Sequence, residues 1–352
     1  PILMRLEYRV ELPDHDWIVA ERHKLIPSVY AILDVQEGKY GRAEAVIYSG
    51  PTFIRIHSGK YDSNTAYSHG KDFNDLMNEE KLHSYTITNE QPKPVVVLLS
   101  DGGLNENPRY RKMVQMMIEH FDTYDPDTII VACFALHQSA SNPVERRMAP
   151  LSHDLASVIL PHDTFGIHLD AQLRTNNEEL EKHNFKAAGD ILTSIWENTI
   201  IDNYPVLVKY IDPSDEHYSP SEKLVAWIEK HVMTCRYITQ VIKCDDLSCC
   251  KPFRSGIKQI LPNQFFPSPL VVQQMPYKSA LKIQEFPVVY VHNYRHGEFL
   301  VSNESSETMW VEEEVVPEDA LETYHQQVQV QEELVADKVL IVNWDTCEWT
   351  NE

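Results

Sequence analysis

The first third of the chain alternates apolar and polar positions. LMRLEYRVEL (3–12), AEAVIYSG (43–50) and TFIRIHSG (52–59) put apolar side chains on every second residue, which predicts three strands. The first is followed by a turn-like Pro13–Asp14–His15–Asp16, and the other two are divided by Gly50–Pro51. The period then lengthens. NTAYSHGKDFNDLMNEEKL (64–82) reads as a helix with a polar sequel as far as Pro94. PVVVLLS (94–100) is an unbroken aliphatic run, bounded by Pro94 and Gly102–Gly103, and predicts a strand buried on both faces. A helix follows from about Pro108 to Phe121, then a strand over 128–135, then a helix opening near Asn142. The order β, β, β, α, β, α, β, α predicts an α/β or α+β sheet domain. Strands 94–100 and 128–134 should be parallel neighbours joined by a right-handed crossover.

The second half is less regular. LPHDTFGIHLD (160–170) reads as a loop, and 176–200 as the longest amphipathic helix. A Pro/Ser stretch at 212–220 is a natural boundary. SEKLVAWIEKHV (221–232) predicts a helix with Ser221 at its N-cap. RYITQVIKC (236–244) predicts a strand running into a cysteine cluster, LPNQFFPSPL (261–270) an extended or irregular segment, and KVLIVNW (338–344) a final strand. No internal repeat is visible.

Charge changes this picture in one place. The net charge is −22, and the segment Glu304–Asp337 holds eleven acids with no Lys or Arg, leaving −11 for everything else. That segment reads as a partly disordered acidic linker, a candidate contact for a protein partner. The body is only mildly acidic, which weakens nucleic-acid binding without removing it, since phosphate contacts need Lys and Arg. A hydrophobic content of 43% with 11 glycines fits a globular core. Six cysteines, unevenly spread and including the adjacent pair Cys249–Cys250, make a poor disulfide framework and suit a reducing compartment. No apolar run approaches the roughly 20 residues that span a bilayer, so no membrane association is expected.

Asp101 ends one predicted strand, and Glu145 follows the carboxyl end of its parallel neighbour. Ligands in open α/β sheets gather at that edge. Two carboxylates there are hard oxygen donors suited to Mg²⁺ or Mn²⁺. Each also has a plain structural reading. Asp101 before Gly-Gly is a turn acid. Asn142 as N-cap, Pro143 at N1 and Glu145 at N3 form a capping box with Asn in place of Ser or Thr.

Asp101 at a strand end, with Asn142–Pro143–x–Glu145 opening a helix, resembles the second and third acids of the DDE catalytic core of retroviral integrases and mariner-type transposases. The two acids stand 44 positions apart, longer than is usual there. LPDHDW, HKLIPSVYA, SGKYDSNTAYSHG, SDGGLNENPRY, NPVERRMAPLS, LPHDTFGIHLD and KCDDLSCCKPFRS are similar to stretches of transposon-derived open reading frames, and this similarity covers residues 1 to about 265. The resemblance implies a ribonuclease-H-like mixed sheet flanked by helices (1–205), a C-terminal α/β region with the cysteines (206–300) and the acidic tail (301–352). It implies Asp101 and Glu145 as ligands of Mg²⁺ or Mn²⁺ in two-metal DNA strand cleavage and transfer. It also implies nuclear residence in a eukaryote, although no Lys/Arg-rich import signal is visible. The first acid of that core sits on a central strand that in this group lies upstream of Pro1. The expectation is therefore a sheet without its central strand and a chain inactive in cleavage. Asp14 and Asp16, in a turn, are not convincing substitutes.

Other readings stay open. One is a catalytically dead, domesticated DNA- or protein-binding module. Another is a metal-dependent adhesion domain of the von Willebrand A kind, which VVVLLSDGG also resembles. That fold needs Asp-x-Ser-x-Ser, and Asp62–Ser63–Asn64–Thr65–Ala66 does not match it. His162, Asp163, His168 and Asp170 lie close together in PHDTFGIHLD, as metal ligands, as residues near the site, or as ordinary loop residues. Cys244, Cys249 and Cys250, preceded by His231 and Cys235, are candidate Zn²⁺ ligands. Their C-x₄-CC spacing is irregular beside the usual paired C-x₂₋₄-C, and buried thiols are the default. Lys251, Arg254 and Lys258 alongside are candidate phosphate contacts.

Overall fold

The computed structural model describes residues 23–35, 46–62, 65–100, 107–134, 142, 144–156, 158, 160–213, 223–235, 237–261 and 264–266. It also describes, as backbone, the strands 17–20, 271–274, 281–284, 290–293, 298–302, 308–312 and 339–346. The predicted strand 3–12, its turn at 13–16, Ser221, Asp101 and most of the acidic segment lie outside these residues.

The chain forms two compact units. The first is built on a mixed sheet that has ten strands among the described residues. Its strands are β1 (Trp17–Ala20), β2 (His23–Val35), β3 (Val46–Ile47), β4 (Thr52–Ser58), β5 (Val95–Ser100), β6 (Thr128–Cys133), β7 (Leu207–Tyr210), β8 (Val232–Thr234) and β9 (Ile238–Ile242). The second unit holds β10 (Val271–Gln274) paired with β11 (Leu281–Gln284), and the meander β12 (Tyr290–Asn293), β13 (Glu298–Ser302), β14 (Thr308–Glu312). The chain then returns to the first unit as β15 (Val339–Thr346). The order across the main sheet is β7-β4-β2-β15-β5-β6-β9-β8, with β1 and β3 pairing to β2.

The strand expected at 338–344 is therefore present, and it enters the middle of the sheet. β15 runs antiparallel to β2 and parallel to β5. The expected gap at the centre is filled by a segment from the far end of the chain. β5 and β6 are parallel neighbours, as predicted. β2 is a central strand that carries a proline, Pro27, which a complete ladder would exclude. Pro27 pairs with Ile56 on one side and lies one position beyond Ser28, the last residue paired to β15, so the missing N–H falls where that ladder has ended.

Helices cover both faces, giving a mixed α/β fold of three layers. On one face, α1 (Ala66–Asn78) and α2 (Arg111–Tyr124) pack Phe73, Leu76, Met113, Met117 and Phe121 onto Tyr30, Ile32, Val96, Leu98, Ile129 and Val131. On the other, α3 (Glu145–Asp154) and α4 (Glu178–Trp196) pack Val144, Leu151, Phe185, Leu192 and Trp196 onto Val29, Ala31, Leu33, Ile54 and Ile56, with Val97 and Leu99 half-buried beside them. Even positions of β2 and β5 face the first layer and odd positions the second, the period of two that a sheet imposes.

Local chemistry sets the helix limits. Thr65 and Ser68 form a reciprocal capping box at α1. Asn177 caps α4, whose first turn holds Glu178, Glu179 and Glu181, favourable at a positive helix end. α2 stops at Asp125, which takes left-handed backbone at φ 49°. Among the described residues no helix is long and apolar enough to cross a membrane.

Candidate metal centre

The last helix of the first unit, α5 (Val225–His231), ends on the residue that matters most. The next residue begins β8, which pairs antiparallel with β9 (Val232 with Val241, Thr234 with Thr239). The hairpin returns the chain so that residues 243–250 come back beside His231. The His231 ring is fully buried, stacked on Trp227 with centroids 4.4 Å apart. Its Nδ1 is 2.8 Å from the Ile242 carbonyl. A carbonyl only accepts, so Nδ1 carries the proton and Nε2 presents a lone pair. Burial lowers the pKa of this imidazole, with partial opposition from the Ile242 bond, which keeps the ring neutral as a ligand must be.

A tight turn supplies the thiols. The Asp246 carbonyl accepts from the N–H groups of both Cys249 and Cys250 at 2.9 Å, and Asp246 Oδ1 accepts from Ser248 N at 3.0 Å and Ser248 Oγ at 2.6 Å. This turn lets two adjacent cysteines face one point. Cys244 Sγ lies 3.9 Å from Cys250 Sγ, and His231 Nε2 lies 3.3 Å from Cys249 Sγ. One ligand atom from each of His231, Cys244, Cys249 and Cys250 falls within 4.8 Å of the others, so the cluster can hold a metal ion. Zn–S bonds of about 2.3 Å set a tetrahedral S–S edge of about 3.8 Å, close to the Cys244–Cys250 separation. His231, Cys244 and Cys250 are buried and Cys249 is exposed.

The thiols differ in acidity. Burial pushes the Cys250 thiol up to about 12; the Cys244 backbone opposes the rise, and the Cys244 and Cys249 thiols add to it. Burial also acts to raise Cys244. The Asp246 backbone and the Lys230 ammonium outweigh it, and the net shift is downward. A bound cation is what would hold all three as thiolates.

The turn is fastened to the sheet by Asp127, fully buried just ahead of β6. Its carboxylate accepts from Arg254 N at 2.8 Å, Ser255 N at 2.6 Å, Ser255 Oγ at 2.7 Å and Lys243 Nζ at 3.2 Å. Arg254, a predicted phosphate contact, spends its guanidinium on the carbonyls of Pro92 (2.7 Å) and Asp125 (2.8 Å). Lys251 is exposed and paired with Asp125 at 3.5 Å. Cys235 caps the β8–β9 hairpin through its N–H to Ile238 O (2.7 Å) and is not in the cluster.

The other predicted site residues are dispersed. Asp101 lies outside the described residues, one position past β5. Glu145 is the first residue of α3, half-buried. The predicted capping box is replaced: Val144 takes the N-cap with no side-chain bond, and Asn142 is buried upstream with its carbonyl accepting from Glu145 N at 3.3 Å. A bulky residue serves there because α3 is held by packing and by Arg147, whose guanidinium donates to Gly50 O, Thr52 Oγ1 (2.8 Å) and Tyr48 O (2.9 Å). His162 and Asp163 are exposed. His168 is buried, with Nδ1 3.0 Å from Asn184 Nδ2 and Nε2 3.5 Å from Glu181. Asp170 accepts from Gln172 N, Arg174 N and Arg174 Nε, each at 2.9 Å. His168 and Asp170 thus hold their own loop. Among the described residues, the His231 cluster is the one group of three or more such side chains placed to share an ion.

A second buried polar centre was not read from sequence. His57, at the end of β4, has Nδ1 2.6 Å from Asp62 and Nε2 2.9 Å from Asp72, while Tyr30 Oη donates to Asp72 at 2.7 Å. Burial acts to lower the His57 pKa, but the Asp72 charge and the bonds to Asp62 and Asp72 outweigh it and raise it to about 10.

Comparison with known protein families, characterised proteins and solved structures finds no match.

Proposed function

We propose that His231, Cys244, Cys249 and Cys250 hold a structural zinc ion. The convergence of four donors from two separate segments carries this reading. Three thiolates and an imidazole are soft and borderline donors that select zinc over Mg²⁺ or Ca²⁺. Four protein ligands fill a tetrahedron and leave no position for water or substrate, which makes the site structural rather than catalytic. The ion joins the end of α5 to the turn after β9, a region with only short elements of its own. Structural zinc contributes about 10–16 kcal/mol in small zinc-dependent peptides, as much as the whole stability of about 5–15 kcal/mol of a typical domain. Elemental analysis of the purified chain should find about one zinc per chain, and cobalt exchange should give the visible spectrum of tetrahedral thiolate ligation. Cys250→Ser should lose the ion and lower the melting temperature. A wild-type protein that carries no metal as purified, or whose melting temperature is unchanged when its zinc is stripped, would sink the reading.

A second reading concerns the opposite layer, and the sheet order favours it. It is a metal-dependent phosphoryl-transfer core acting on DNA, as the resemblance implies. The centre of the sheet, flanked by antiparallel β2 and parallel β5, is where such a core carries its first acid. In this sheet β15 lies between antiparallel β2 and parallel β5, which supports the reading. Asn343 is level with Leu99, and Asp345 follows Asn343 by two residues as Asp101 follows Leu99. On this reading Asp345, Asp101 and Glu145 would supply three carboxylates to Mg²⁺ or Mn²⁺. The ions would activate a hydroxyl and stabilise the leaving oxygen. The test is nicking of supercoiled plasmid by the full chain with Mg²⁺ or Mn²⁺. Activity should vanish in EDTA and fall to background in Asp345→Asn and Glu145→Gln. Cleavage that survives both substitutions refutes this assignment.

A further inference from the structure

We infer that the cysteine cluster is also a thiol modification site, in which a peroxide-class oxidant joins Cys244 to one of the adjacent pair Cys249–Cys250 and expels the metal. This rests on the zinc reading for the metal and on geometry for the thiols. Two features of the cluster point to it. Cys249 is the exposed member, whereas His231, Cys244 and Cys250 are buried. Solvent-borne oxidant therefore meets Cys249 first. Cys244 Sγ lies 3.9 Å from Cys250 Sγ and within 4.8 Å of the Cys249 sulfur, so a second sulfur is at hand without unfolding. Cys249 and Cys250 are neighbours in sequence, and a ring closed across one peptide bond is unfavourable geometry for a disulfide, whose Cα atoms usually stand 4.4–6.8 Å apart. Cys244 is thus the resolving thiol.

The chemistry balances as follows. The Cys249 thiolate attacks one oxygen of hydrogen peroxide, the O–O bond breaks, and the departing hydroxide takes a proton to become water. The sulfenic acid left on Cys249 is attacked at sulfur by the Cys244 thiolate. The S–S bond forms, the S–O bond breaks, and hydroxide again leaves as water after taking a proton. Two thiolates have lost two electrons and peroxide has gained them. Exchange with Cys250, 3.9 Å from Cys244, can move the bond to that neighbour without further oxidant. Either product removes two of four ligands, and zinc leaves to solvent. A thiol reductant with added zinc reverses the change.

The experiment uses the full zinc-loaded chain. Zinc content is measured first. Hydrogen peroxide is then added, zinc release is followed with a chromogenic chelator, and thiols are alkylated before peptide mapping. All three cysteines fall in the fragment running from Cys244 to Arg254 after tryptic cleavage, so the bond appears there as a loss of two hydrogens with a single alkylated cysteine. The expected result is release of about one zinc per chain, an internal bond that includes Cys244, and recovery on reduction. Zinc retained at peroxide levels that oxidise Cys133 and Cys235 would overturn the inference. Zinc lost with all three thiols still alkylatable, or with irreversible oxidation and no bond, would overturn it equally. A preparation without zinc at the outset counts against the zinc reading alone, because the map still scores the disulfide.

Discussion

His57 is a histidine turned into a standing cation. Its folded pKa of about 10 lies above the ordinary 6.5, so folding takes up a proton whenever the pH is between the two. The stabilisation is complete below about 6.5 and is lost as the pH rises through about 10. At about 1.4 kcal/mol per pKa unit the change is on the order of a few kcal/mol. Chemical denaturation from pH 6 to 10 should therefore show wild-type stability falling, and His57→Gln should remove most of that slope. A wild-type profile as flat as the variant's would mean that the Asp62–His57–Asp72 chain is not charged as described. Nothing in the local sequence marks this centre, since Tyr30, Asp62 and Asp72 are brought to His57 from separate elements. The cysteine cluster was half legible for a similar reason. Cys244, Cys249 and Cys250 stand out in sequence with His231 and Cys235 just ahead of them, but only the fold of the β8–β9 hairpin brings His231 into the cluster and leaves Cys235 out.

Among the elements, those with a strong period were readable and those fixed by neighbours were not. β4, β5, α2, β6 and α4 fall where their apolar patterns place them, because each buries a regular face. β2 carries Pro27, and a proline excludes a central strand only where the ladder is complete on both sides. The start of α3 escaped because the anchoring of Arg147 and the burial of Val144 replaced the cap that Asn142 and Glu145 advertise. α4 has its own weak point. A Cβ at Gly189 would stand 2.1 Å from the Tyr210 ring on β7, and both residues are buried. Gly189→Ala gains about 1 kcal/mol of helix propensity and incurs about 1–3 kcal/mol of overpacking. At 2.1 Å the second effect wins, because a buried ring cannot yield. A fall of a few degrees in Tm is expected, and Tyr210→Leu in the same chain should restore part of it. A variant as stable as wild type would mean that α4 rides further from the sheet.

Across the whole molecule, the chain order and the spatial order disagree at one strand. β15 is the last described element in sequence and a central one in the sheet, with β2 and β5 on its flanks. A nascent chain must emerge as far as residue 346 before the two halves of the sheet have anything to close upon. Among the described strands nothing pairs those edges of β2 and β5 until then, and such an edge recruits other strands. Production of this protein is thus a race between the ribosome reaching β15 and the first half finding a partner elsewhere, and slow translation of the intervening unit lengthens the odds against it.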